Sequence, residues 1–317
     1  MHTTTNSSHL IRSEIWSGQL KEELLDELQA TKYVNWLNEF PDGDTFTIPS
    51  IGQAQADDYV EDTAVKYRAL DTGEFQFTIN QYKSSGHYIT EKARQDAFYA
   101  AQLEAGFVPK ELRAIMVAVE EDIMELQSSQ TASNVNAING ADHRWVGSGT
   151  NEIMTVTDFA KARYALKKAN VPDTNLIAIV DPSVEYTFNT QTNLVNFSNN
   201  PMWEGIVSTG VATGMKFFKN IFGFDVYVSN YVDDVASETI TPTGGSATTA
   251  TSGKANMFFS TASDVLPFVG AWRQMPKVDS SFNKDFQREE YVTTCRYGVK
   301  LYRPENLVTV ITEAHIT

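Results

Sequence analysis

Two stretches of this chain alternate polar and apolar residues in the manner of half-buried strands. Thr45, Phe46, Thr47 and Ile48 do so within 44–51, and Phe75, Phe77 and Ile79 within 73–82. Between them lies an apolar-poor stretch with Asp57, Asp58, Glu61 and Asp62. The pattern predicts a hairpin with one apolar face. Two strands alone are marginal in water, so that face needs a partner, and another copy of the chain is a candidate.

Helical spacing brackets the hairpin. Leu20, Leu24, Leu25 and Leu28 predict a short amphipathic helix with Lys21, Glu22, Glu23 and Glu27 outward. Trp16 and Trp36 flank it and are expected to anchor a flexible arm, residues 1–13. The turn Pro41, Asp42, Gly43 opens the hairpin. Thr90 predicts a cap for a helix to about Ala105, which Gly106 and Pro109 end. From Pro109 to about Leu126 a second helix is expected, with Leu112, Ile115, Met116, Val119, Ile123 and Leu126 on one face. Glu120, Glu121, Asp122 and Glu125 then read as a solvated face, since no His is near to complete a metal site.

Residues 128–150 read as loop, with Trp145 as anchor. Thr157 is expected to cap a helix carrying Phe159, Ala162, Leu166 and Ala169, which ends at Asn170, Val171 and Pro172. The run 176–180 predicts a buried strand, Asn200 and Pro201 start a short helix through Met202 and Ile206, and 219–223 turns into a strand at 224–228. The Thr, Gly, Ser and Ala stretch 241–253 is expected to be mobile. Further strands are expected at 255–259, 290–297, 299–302 and 307–311, with no internal repeat.

Composition narrows the function. The 317 residues allow about two domains and a full core. Against 40 acidic side chains stand 25 basic ones, a formal charge of −15, the wrong sign for direct nucleic-acid binding though compatible with enclosing DNA. No apolar run is long enough to span a bilayer, and residues 1–8 lack the pattern of a signal peptide. The single cysteine, Cys295, excludes an internal disulfide and reads as a small buried hydrophobe.

Catalytic patterns are sparse. His2, His9, His87, His143 and His315 have no metal-site spacing, Gly253 and Lys254 do not complete a phosphate loop, and Gly147, Ser148, Gly149 lacks a third glycine. A nucleophile elbow is absent. Asp57 with Asp58, and Asp233 with Asp234, could in principle serve glycoside hydrolysis, which needs two carboxyls at a set separation, but adjacent acids in loops read first as solvated features. No cofactor or metal is expected.

Several short motifs recur in a familiar order. They are Gly43 to Pro49, then Tyr88 to Lys92, Ala165 and Leu166 with the Asn170, Val171, Pro172 turn, and Ile177 to Pro182. Ile221 to Val226, Ser229 and Asn230, and Tyr297 to Lys300 with Arg303, Pro304 and Glu305, complete the series. In this order the chain resembles the major capsid proteins of tailed bacteriophages, of the Hong Kong ninety-seven type, closest to those of short-tailed phages. The resemblance implies an α+β fold with an N-terminal arm (1–43), an extended hairpin loop (44–90), a peripheral domain with a long spine helix (91–149), an axial α/β domain (150–275) and returning strands of the peripheral domain (276–317). It implies a structural protein, not an enzyme, that assembles in the host bacterial cytoplasm through pentamers and hexamers into an icosahedral head around double-stranded DNA. Implied partners are the chain itself, a portal protein, a separate scaffolding protein because no long charged pro-region precedes the arm, and a decoration protein on some shells. Trp16, Trp36, Phe46, Ile48, Phe75, Phe77 and Ile79 are the expected subunit-interface residues. The alternatives are an encapsulin-type compartment and, from another class, a monomeric acidic hydrolase.

Overall fold

The computed structural model describes residues 28, 30–37, 45–51, 56–64, 67, 69, 72–96, 100–133, 137–190 and 217–313. Trp16, the helix expected around Leu20 and Leu24, the 41–43 turn and the helix expected from Asn200 lie outside the described residues, as does the side chain of Phe46.

In chain order, a 3-10 turn at Ala30–Tyr33 leads into β1 (Val34–Leu37), and the predicted hairpin follows as β2 (Thr45–Ile51) and β3 (Thr72–Thr78). Next comes β4 (Gln81–Thr90), which the sequence reading missed because Lys83, Ser84, Ser85, Gly86 and His87 hide the alternation. The Thr90 hydroxyl then accepts the Ala93 N–H at 3.3 Å and caps α1 (Glu91–Asp96), as expected. The helix α2 (Ala100–Glu125) runs through Gly106 and Pro109 without the predicted break. A proline inside a helix costs roughly 3 kcal/mol. The face that follows, Ile115, Val119, Ile123 and Met124, is buried and offsets that cost.

Beyond a 3-10 segment at Leu126–Ser133 lie β5 (Arg144–Val146) and α3 (Val156–Lys168). The α3 cap is Thr155, not Thr157, because Asp158 closes a capping box with it. The helix stops at Asn170, whose φ of 61° places it in the left-handed region, while the Val171 N–H donates back to the Leu166 carbonyl. There follow β6 (Leu176–Val180), α4 (Pro182–Thr190), β7 (Phe217–Ile221), β8 (Phe224–Val228), β9 (Asp234–Val235), β10 (Glu238–Ile240), β11 (Thr248–Ala250) and β12 (Gly253–Ser260). The chain continues through β13 (Phe268–Asn283), β14 (Arg288–Leu301) and β15 (Val308–Glu313).

Two larger sheets organise the chain. One has the order β5-β15-β12-β6-β8-β7, with β9 also on β12; the other has the order β1-β13-β14-β4. Every residue of β6 is buried, because the first sheet is covered on both faces. Leu176, Ala178 and Val180 join Phe159 and Leu166 of α3 and Val184 and Phe188 of α4. Ile177 and Ile179 point the other way, into a second cluster with Ile115, Val119 and Ile123 of α2 and with Phe268, Cys295 and Tyr297 of the four-stranded sheet. The helix α2 is thus packed against both sheets.

Two expectations are corrected by this arrangement. The strand expected to return to the peripheral sheet, β15, lies between β5 and β12 in the other one. Five of its six residues are buried, and only a sheet covered on both faces can take such a strand. The stretch expected to be mobile is an ordered hairpin, β10 paired with β11. Its Ile240 and Ala250 pack on Val146 and Ile311, and Asp142 accepts from the Thr243 hydroxyl at 2.6 Å.

Candidate assembly interface

The β2–β3 hairpin is anchored at one end only. Phe77 and Ile79 are buried against Val269 and Ala271, Phe75 meets Tyr302 edge-to-face at 5.0 Å, and Lys300 donates to the Gln76 carbonyl at 2.7 Å. Gly298 is required here, since a Cβ on it would stand 2.8 Å from the Thr78 carbonyl. From this base β2 pairs, among the described residues, only with β3, in a sheet of two strands. The seven residues of β2 span about 24 Å at about 3.4 Å each. At the far end Asp57, Asp58, Tyr59, Val60, Glu61 and Asp62 are exposed.

This geometry redistributes the expected interface residues. Phe77 and Ile79 are spent on the chain's own core, so the apolar face of the hairpin is not wholly available to a neighbour. Phe75 is partly buried beside them, and Ile48 is half-buried opposite it in the register. Trp36 stacks on Trp272 at 4.8 Å, also within the chain. Gly270 makes room for that stack, because a Cβ there would lie 2.7 Å from the Trp36 ring.

The sequence reading missed a second surface. Tyr82, Tyr88 and Val292 are exposed on the four-stranded sheet, and Phe282 and Phe286 are exposed at the β13–β14 turn. The Arg288 guanidinium lies over Tyr88 at 4.5 Å and Phe286 at 4.7 Å, and it binds Glu290 at 2.6 Å, which holds that carboxyl below its ordinary range. Tyrosine, phenylalanine and arginine are the residue types that dominate protein interfaces.

The frame behind these surfaces is held by carboxylates of α2. Glu120 is fully buried and accepts from the Ala30 and Thr31 N–H groups at 2.7 and 2.9 Å and from the Thr31 hydroxyl. Asp122 accepts from the Tyr297 hydroxyl at 2.6 Å and from Lys83 at 3.1 Å. Glu111, also buried, accepts from Thr293 at 2.7 Å and lies 2.8 Å from His87 Nδ1. The expected solvated face therefore keeps only Glu121 and Glu125 exposed. Burial pushes Tyr297 up, helped by Asp122; burial and Tyr227 push Tyr33 up to about 12; burial also raises the Cys295 thiol, which makes it inert.

Asp233 accepts from Gln127 at 2.6 Å, whereas Asp234 pairs with Lys254 at 2.6 Å. Among the described residues no group of three His, Cys, Asp or Glu side chains is placed to hold a metal, and no helix is long and apolar enough to cross a membrane.

A family model described as phage capsid protein matches residues 77–310, most of the chain. The chain belongs to the phage capsid protein family. The capsid protein is also similar in fold to solved structures that share little of its sequence. A structure from Mycobacterium phage Che8 is 17% identical, with a TM-score of 0.68, over 96% of this chain and 97% of that one. The capsid of cyanophage P-SCSP1u is 13% identical with a TM-score of 0.70, over 98% and 95%. The capsid of Ralstonia phage GP4 is 11% identical with a TM-score of 0.65, over 99% of both chains. No curated protein matches the sequence. The capsid protein is thus a structural component of a phage head, with the mixed α and β architecture of its structural neighbours.

Proposed function

We propose that the chain closes an icosahedral head by repeating heterologous contacts as pentamers and hexamers, assembled in the host cytoplasm around double-stranded DNA. The observation that carries this reading is the hairpin, fixed at its base to Val269 and Ala271 and otherwise paired, among the described residues, only with itself. Such an arm supplies contact area to a neighbour without unfolding its own subunit. Phe75, Ile48 and Phe46 are its proposed contact residues, with Trp16 of the arm. The Tyr82, Tyr88 and Phe286 surface is a second candidate contact. In the same reading residues 150–275, whose sheet also takes in β15, cluster about the axes. A separate scaffolding protein, a portal protein and decoration proteins are the proposed partners, and the charge of −15 favours enclosing DNA over gripping it.

Size-exclusion chromatography and electron microscopy of the purified chain, with and without loop residues 57–72, test the proposal. Capsomers or closed shells from the full chain, and a soluble subunit from the shortened one, are expected. A full chain that elutes only at its 35.3 kDa mass, or a shortened chain that still forms normal shells, overturns it.

A further inference from the structure

Two features of the surface are complementary in charge and shape. At the end of the hairpin Tyr59 is 77% and Val60 59% exposed, and Asp57, Asp58, Glu61 and Asp62 surround them. Apolar surface this exposed is costly to leave in water. The other feature is α3. Its outward stripe is Lys161, Tyr164 and Lys168, at helical spacing, and Asp158, its one acidic residue, is buried. Of the four cations of α3, Arg163 and Lys167 are paired with Asp173, which leaves Lys161 and Lys168 to give the stripe its positive charge.

Beside the stripe, a cleft of about 410 Å³ opens between α3, β5 and the β10–β11 hairpin. Val146, Ile240 and Pro242 form apolar walls; Glu152 and Asp158 also line the cleft, the latter accepting from Trp145, Ser148 and Thr155, and Lys161 stands at the rim with its amine 4.3 Å from the Trp145 ring centre. Asp142 is 3.9 Å from that amine, and burial nevertheless lowers the Lys161 pKa from its ordinary value. An additional carboxylate there would favour the charged amine.

We propose that the cleft and the α3 stripe receive the acidic loop, residues 57–62, of a second copy of the chain, with Tyr59 in the cleft and Asp58 and Glu61 facing Lys161 and Lys168. This rests on the self-assembly reading above and names the receiving site for the arm. Exposed at the end of the hairpin, the loop can meet a neighbouring copy, and opposite charges direct copies that otherwise repel.

Particles made from mixed unlabelled and isotope-labelled chains are treated with a carbodiimide, which joins carboxylates to amines without a spacer. Mixed-label peptides linking Asp58 or Glu61 to Lys161 or Lys168 are expected. Lys161→Glu with Lys168→Glu is expected to slow assembly about tenfold or more, as like charges meet, and Asp58→Lys with Glu61→Lys in the same chain to restore it. Particles that yield no such peptides and assemble normally with the α3 reversal overturn this inference and leave self-assembly standing. A chain that forms no particles in any of these forms overturns both.

Discussion

Glu120 of α2 accepts the backbone N–H of Ala30 at 2.7 Å, across ninety residues of sequence. The same carboxylate takes the N–H and the hydroxyl of Thr31, so the start of the 3-10 turn is capped by a distant helix and not by its own neighbours. Glu120→Ala leaves these donors unpaired beside a cavity. A loss of about 3 kcal/mol is expected, seen as a lower denaturant midpoint, with Glu120→Gln losing less because it keeps one acceptor. Equal stability of all three proteins would show that the contact carries nothing.

Arg144 is fully buried and is held by both oxygens of Glu238, with Gln127 Oε1 accepting at 2.7 Å. Removing one partner of a buried pair strands the other charge, at about 3–5 kcal/mol. Glu238→Ala is therefore expected to loosen the β10–β11 hairpin as well as lower stability. Hydrogen exchange at Thr239, Ile240 and Thr248 reads this directly, and unchanged protection there would contradict it.

His143 is buried, with Nδ1 3.0 Å from the Ala141 carbonyl, and burial lowers its pKa despite the nearby Asp142 and Glu305. The unfolded chain takes up this proton first as pH falls below the ordinary value of 6.5, so the unfolded state binds more protons and stability drops with acid. For His143→Asn the fall in melting temperature between about pH 7 and about pH 5 is expected to be smaller than in the parent. An identical pH slope would remove His143 as the cause.

Assembly brings together subunits of charge −15. Salt shortens their repulsion to a Debye length of about 8 Å at physiological ionic strength. Light scattering is expected to show faster assembly at moderate than at very low salt. The reverse order would mean that attraction between opposite charges dominates the rate.

Much of the architecture was legible in the sequence because it depends on local pattern. The alternation at Phe75, Phe77 and Ile79 gave the hairpin, the Ile115, Val119, Ile123 spacing gave the buried face of α2, and the continuous run at 176–180 gave a strand buried on both sides. The strand β4 was not legible, since its polar residues meet β14 and α2 through hydrogen bonds and not through apolar contact. The segment 241–253, expected to be mobile, is held in an ordered hairpin for a similar reason, because Asp142, which accepts from Thr243, and Arg144, which holds Glu238 of the pairing strand, lie about a hundred residues away.

By itself, then, the sequence determined which segments form elements, which face of each is apolar, and the order of motifs that marks the family. Tertiary structure alone decided where those faces go. It buried Phe77 and Ile79 within the chain and stacked Trp36 on Trp272, turned Glu120 and Asp122 from an expected outer face into internal clamps, and left Tyr59 and Val60 outside. The physical reason is that periodicity fixes a side chain's direction on its own element, whereas burial depends on which element lies opposite, and only the packed sheets supply that.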